Sequence, residues 1–273
     1  MLEETRSGRL VAWGNALLAG EVSPDEAATR ITADDARHRV AGLPGPHGAA
    51  DGKAVGLTLA LGRLRLLGTA GLRLALPSSG HPVGLSGPPE FNARALEAGE
   101  AVSASGAGLG LVPDVCVAGP GTRDSLDVHV EVVWRCLRVR EAPPADVPTL
   151  GEAERELAEA LREATDVLTR LDVAGSGPVA DAALEAYRAR AEADRKLLAP
   201  GYPPRAVRVL ELAQRVGALI GIAAGDGSVH GAALSSSQIT ARAETLRPVE
   251  RTARRAQVAA YNAYAEELER RRG

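Results

Sequence analysis

Apolar residues recur along this chain in two rhythms, and the rhythm changes near residue 145. Before that point, short apolar runs alternate with glycine- and proline-rich loops at residues 41–52 and 77–89. Ser23-Pro24-Asp25-Glu26 reads as a helix start: Ser caps, Pro takes the first helical position, and the acids favour the positive end of the helix dipole. Residues 54–67 place Leu57, Ala60, Leu61, Leu64 and Leu67 on one helical face, with Gly68 as the stop. Residues 72–76 alternate as a strand that ends at Pro77, residues 91–102 read as a short helix, and residues 108–112 as a short apolar strand. The helix then forms a right-handed crossover that makes the two flanking strands parallel neighbours. Residues 126–139 read as the longest strand, with Val128, Val130, Val132 and Trp134 on one parity. The turn at 119–125 folds it back on 111–118 as a hairpin.

After the extended Pro-rich linker at 141–149, the spacing becomes helical. Leu150, Leu157, Ala164 and Leu171 are seven apart, with Ala153, Ala160 and Val167 filling the complementary seam. Gly175-Ser176-Gly177-Pro178 turns the chain, and Val179, Ala186 and Ala193 resume the seam in a coiled-coil-like hairpin. Pro203 and Pro204 start a third helix, apolar around most of its circumference and suited to the centre of a bundle. A last helix begins near Ser236, with Pro248 expected to kink or restart it. The predicted fold is α+β or α/β: a mixed α/β domain at 1–145, then an all-α antiparallel helical bundle at 146–273.

Composition narrows the class. Over 273 residues, 45% hydrophobic and 25% charged is enough apolar material for a core without disulfides or metal. The net charge of −3 and the 3% aromatic content argue against nucleic acid, which needs a basic surface or stacking platforms. Residues 207–224 are the longest apolar stretch, but Arg208, Glu211, Gln214 and Arg215 interrupt it, so no membrane span is expected. Cys116 and Cys136 lack CxxC spacing, and the first ten residues carry no apolar signal run, so a cytoplasmic, soluble protein with free thiols is expected. The five histidines are scattered without ligand spacing, so no metal or other cofactor is implied.

Four places carry candidate chemistry. Gly106-Ala107-Gly108-Leu109-Gly110 resembles a phosphate-binding turn in composition but follows a helix and enters a strand, the reverse of that order, and reads as a connector. If the strands at 72–76 and 108–112 are parallel neighbours, Ser78 and His81 fall beside Asp114 at one sheet edge, with Arg123 close by. A hydroxyl, an imidazole, a carboxylate and a guanidinium there would suit acid–base chemistry or an anionic small molecule, with Arg123 as the ligand-binding residue. The loop from Gly225 to Gly231 holds Asp226, Ser228 and His230 and reads first as an interhelical turn. Finally, Arg247, Arg251, Arg254 and Arg255 share a face of the last helix and could grip an acidic partner, while Tyr261 and Tyr264 pack the bundle or anchor an interface. No set names a reaction. The leading expectation is a non-enzymatic interaction or regulatory protein whose helical bundle binds a protein partner or a second copy. The rival is a small-molecule enzyme or binding protein at the edge formed by residues 78–81, 114 and 123.

Overall fold

A computed structural model of the chain describes residues 5–45, 53–85, 87–119, 128–140, 146–170, 198–225 and 236–272. The elements in chain order are α1 (Arg6–Ala19), α2 (Pro24–Thr32), β1 (Arg37–Ala41), β2 (Val55–Gly56), α3 (Leu57–Leu66), β3 (Gly71–Ala75), α4 (Pro89–Ala98), β4 (Ala101–Ser105), β5 (Leu109–Ala118), β6 (His129–Arg138), α5 (Leu150–Arg170), α6 (Pro204–Gly225) and α7 (Ser236–Arg272). They divide into two compact units. One contains residues 4–146 with 198–203 and 261–273, and the other contains residues 147–197 with 204–260. No helix among the described residues is long and apolar enough to cross a membrane.

The first unit is a mixed six-stranded sheet with helices, in strand order β2-β1-β6-β5-β4-β3. Among the described residues only β1 and β6 pair in parallel. One face carries Leu72, Leu74, Val102, Leu111, Val132 and Trp134, all buried, with Val11, Ala12 and Ala16 of α1 buried on the same side of the core. Alternate residues face the other way. There Phe91 and Ala95 of α4 cluster with Ala75, Ala101 and Val112.

The hairpin of β5 on β6 and the capped start of α2 match the sequence pattern: Ser23 accepts the Glu26 N–H at 3.1 Å. The crossover does not. The helix expected at 91–102 ends at Ala98, where Gly99 takes φ 72, and Ala101–Ser105 forms β4 between β3 and β5. Both contacts of β4 are antiparallel, so β3 and β5 are not neighbours. The run of Ala and Ser here has no marked strand propensity, and it is the free edges of two flanking strands that recruit it. The glycines expected to join helix to strand instead turn β4 into β5, and a Cβ at Gly106 would stand 2.6 Å from the Gly68 carbonyl oxygen. The largely apolar α1, in which Leu10, Val11, Ala12, Trp13, Ala16 and Leu17 are buried, and the short, charged β1 had no predicted element.

β3 is an edge strand, and two asparagines finish it. Asn15 of α1 accepts the Leu72 N–H at 2.7 Å and donates to its carbonyl at 2.9 Å. Asn262 of α7 accepts the Leu74 N–H at 2.6 Å and donates to its carbonyl at 3.2 Å. A carboxamide offers the same donor and acceptor as a peptide group, so each side chain stands in for one residue of a missing strand. Arg73 adds a two-pronged pair to Glu269, which also accepts from Ser105 at 2.7 Å.

In the helical unit, Ala153, Leu157 and Ala160 of the predicted α5 seam are buried, and α5 packs on α6. The heptads at 179–197, their turn at 175–178 and most of the 225–231 loop lie outside the described residues. In the first part of α6, Ala206, Val209, Leu210, Ala213 and Val216 are buried while Arg205, Arg208, Glu211 and Arg215 are exposed. Residues 256–260 of α7, the part of that helix in this unit before Tyr261, are all buried, and α7 runs through Pro248 as one helix.

Candidate functional site

The two strands behind the edge proposed from the sequence are not neighbours in the sheet. Ser78 and His81 are held together by their backbones, each N–H donating to the other's carbonyl at 2.8 Å across a tight turn just past β3. Asp114 lies on β5, with β4 standing between β5 and β3. It is half exposed and accepts from Arg135 at 2.9 Å. The inserted strand corrects the expected adjacency of the two strands, from which the placement of Ser78 and His81 beside Asp114 was drawn. Arg123 lies outside the described residues.

The arginine row of α7 divides in two. Arg254 pairs with Glu250 at 3.0 Å, and Arg255 reaches Glu156 of α5 at 2.9 Å. Arg247 and Arg251 are exposed one turn apart. Tyr261 and Tyr264 are buried in the sheet unit: Tyr202 donates its hydroxyl to the Tyr261 carbonyl at 2.9 Å and meets the Tyr264 ring edge-on at 5.0 Å. Those two tyrosines are packing, not surface.

The most organised polar cluster is one that the sequence reading passed over. Asp35, after α2, accepts two hydrogen bonds from Arg6 at 2.8 and 2.7 Å, one from Arg9 at 3.1 Å, and one from His38 Nε2 at 3.0 Å. On the other side of the His38 ring, Trp134 Nε1 donates to Nδ1 at 3.3 Å. Indole nitrogen can only donate and an ionised carboxylate can only accept, so His38 is the neutral tautomer with its proton on Nε2. Burial presses the imidazole below its ordinary value against the pull of Asp35. Burial also pushes Asp35 up, but the hydrogen bonds from Arg6 and His38 outweigh it and hold the carboxyl low. Glu100 accepts the Ser7 N–H at 2.7 Å in the first turn of α1, and burial raises it. With both ring nitrogens engaged and its side chain wholly buried, His38 is built to hold α1, β1 and β6 together, not to exchange protons with a substrate. The only local hint was the Asp–His spacing of three residues, while the partners that complete the cluster are far along the chain.

A shallow depression of about 460 Å³ is lined by Ala41, Gly42, Arg94, Arg135, Cys136 and Leu137. Burial pushes the Cys136 thiol up to about 11, which keeps it protonated near neutral pH and unreactive as a nucleophile. Arg94 faces Glu90 at 3.5 Å and Arg135 holds Asp114, so both cations are already matched. Among the described residues no group of three or more His, Cys, Asp or Glu side chains is placed to hold a metal ion.

Two family descriptions match the chain in succession: Rv1486c-like protein, N-terminal domain, over residues 7–147, and Rv1486c-like protein, C-terminal domain, over residues 151–258. The uncharacterized protein Rv1486c of Mycobacterium tuberculosis is 31% identical over 281 residues, covering 93% of this chain and 95% of its own. The uncharacterized protein ML1804 of Mycobacterium leprae is 30% identical over 287 residues, with the same 93% and 95% coverage. MAV321 of Mycobacterium avium is 31% identical over 240 residues, 79% of this chain and 78% of its own. No solved structure matches.

Proposed function

This chain belongs to the Rv1486c-like protein family, and we propose that it works in the cytoplasm as a non-enzymatic interaction or regulatory protein whose helical unit meets a protein partner. The observation that carries this reading is the exposed pair Arg247 and Arg251, one helical turn apart, beside Arg254 and Arg255 tethered to Glu250 and Glu156. Two exposed guanidiniums at this spacing suit carboxylates on an acidic partner segment, since each can bind a carboxylate in two-pronged fashion. The free thiols of Cys116 and Cys136 support the cytoplasmic part of the reading.

The test is affinity capture from native lysate with the full chain and with a variant carrying Arg247→Glu and Arg251→Glu. The wild type should retain a stoichiometric protein that elutes as salt is raised, and the double variant should lose it. Retention of the same proteins by both baits, or of none by either, defeats the reading. A second reading, an anionic small molecule on the sheet unit, now rests on the Arg94–Arg135 depression instead of Ser78, His81 and Asp114. Both guanidiniums there already hold carboxylates, so the helical reading is preferred.

A further inference from the structure

The backbone pairing of the sheet can be followed outward from its finished edge. Leu72 and Leu74 give their N–H and carbonyl groups to Asn15 and Asn262, so Gly71, Arg73 and Ala75 face β4. Alternation then turns Val102 and Ala104 toward β5, and their register partners Leu111 and Leu109 toward β4. Val139 donates to the Gly108 carbonyl at 3.0 Å, which confirms that even-numbered residues of this stretch face β6. Pro113, Val115 and Val117 therefore present their backbones to the β4 side. β4 pairs only with Leu109, Gly110 and Leu111, and among the described residues no strand pairs with β5 beyond them. Val115 is 38% exposed and Val117 is 61% exposed, and Cys116 between them is exposed too.

We infer that residues 114–118 of β5 are an edge at which a second copy of this chain docks, the two strands pairing antiparallel about a two-fold axis centred on Cys116. The register selects this centre. Around Cys116, Val115 of one copy meets Val117 of the other, and all four outward N–H groups of the two copies find carbonyls. The four valines then share one face, and Asp114 stands opposite Ala118. Centring on Asp114 would oppose two carboxylates and align Pro113, which has no N–H to give. Centring on Val115 also wastes Pro113, and centring on Val117 carries Val115 past the end of β5. The edge is thus self-complementary in one register, which is the property an isologous dimer needs. Its length is short, so the dimer is concentration-dependent and not obligate.

Cys116 and its copy form a pair without mutual backbone bonds, with Cα atoms about 4.5 Å apart, inside the range a disulfide spans. This gives a direct test on the full chain. Diamide, which takes two electrons and two protons from a thiol pair, should link the wild type into a covalent dimer, and Cys116→Ser should not be linked. Val117→Lys alters an exposed side chain yet sets a cation into the centre of the pairing, and should slow cross-linking and weaken sedimentation dimers about tenfold. Val115→Lys should act the same way and carries the test if the first variant misfolds. A wild type that stays monomeric at every concentration, or lysine variants that cross-link as fast as the wild type, overturns the inference. A chain carrying Arg247→Glu and Arg251→Glu should dimerise normally, so this result is independent of the partner surface on α7.

Discussion

His38 shows how a residue that looks available for chemistry is consumed by structure. Its ring lies between a carboxylate and an indole, and Arg6 and Arg9 crowd the same carboxylate with positive charge. Protonating Nδ1 would turn two donors against each other, which fits a folded pKa below the ordinary 6.5. The unfolded chain therefore takes up this proton at higher pH than the folded one. The stability that His38 contributes is complete above about pH 6.5 and is lost as pH falls below that value. Asp35, held low, loses stability in the same direction below its ordinary 3.8, whereas Glu100, held high, works in the opposite direction as pH falls toward 4.5. Urea midpoints measured from about pH 8 down to about pH 5 should carry this His38 loss in the wild type, offset by the gain at Glu100. They should fall less for His38→Gln, whose amide can accept from Trp134 and donate to Asp35 without titrating. Equal slopes for the two proteins would refute the assignment.

At the scale of the element, β3 and β5 solve the edge problem differently. β3 is sealed by two side-chain amides, and among the described residues β5 has no strand partner on its β4 side beyond Leu111, where Pro113 already lacks an N–H. Asn262→Ala should leave the Leu74 N–H and carbonyl buried without partners, at about 1–3 kcal/mol for each group. The expected loss is about 2–6 kcal/mol in urea unfolding, with far-UV circular dichroism of the native state unchanged. A loss under about 0.5 kcal/mol, the scale of an ordinary surface change, would mean the amide is not closing the strand. α4 and β4 meet at this scale too. The sequence places the helix correctly, but its end depends on the left-handed Gly99, which a periodicity count over Ala and Ser residues passes straight through.

For the molecule as a whole, the chain's two halves are not its two units. Residues 261–273, at the far end of α7, belong with the sheet, and so does the short segment 198–203 that carries Tyr202. Tyr261 and Tyr264 are buried there, and Asn262 and Glu269 bond β3 and β4. A fragment of residues 4–146 therefore lacks part of its own core and the closure of its edge strand. Expressed alone, it should lose the near-UV circular dichroism of the buried Trp13 and Trp134 and bind ANS, whereas the full chain should do neither. A fragment with native near-UV signal and the full chain's urea midpoint would show that the C-terminal segment is dispensable.

What could be read from residues alone was whatever neighbours in sequence decide: the Ser23 cap, the hairpin of β5 and β6, the buried seam of α5, and a mixed sheet followed by helices. These depend on hydrogen bonds and side-chain periods within a few turns of chain, where spacing and geometry are nearly the same thing. The insertion of β4, the Asp35–His38–Trp134 cluster and the clamp of Asn262 on Leu74 left no such trace. His38 and Trp134 are 96 positions apart, and Asn262 and Leu74 are 188 apart. Contacts of that length arise because burial demands a partner for every polar group, and which partner arrives is set by how the elements pack.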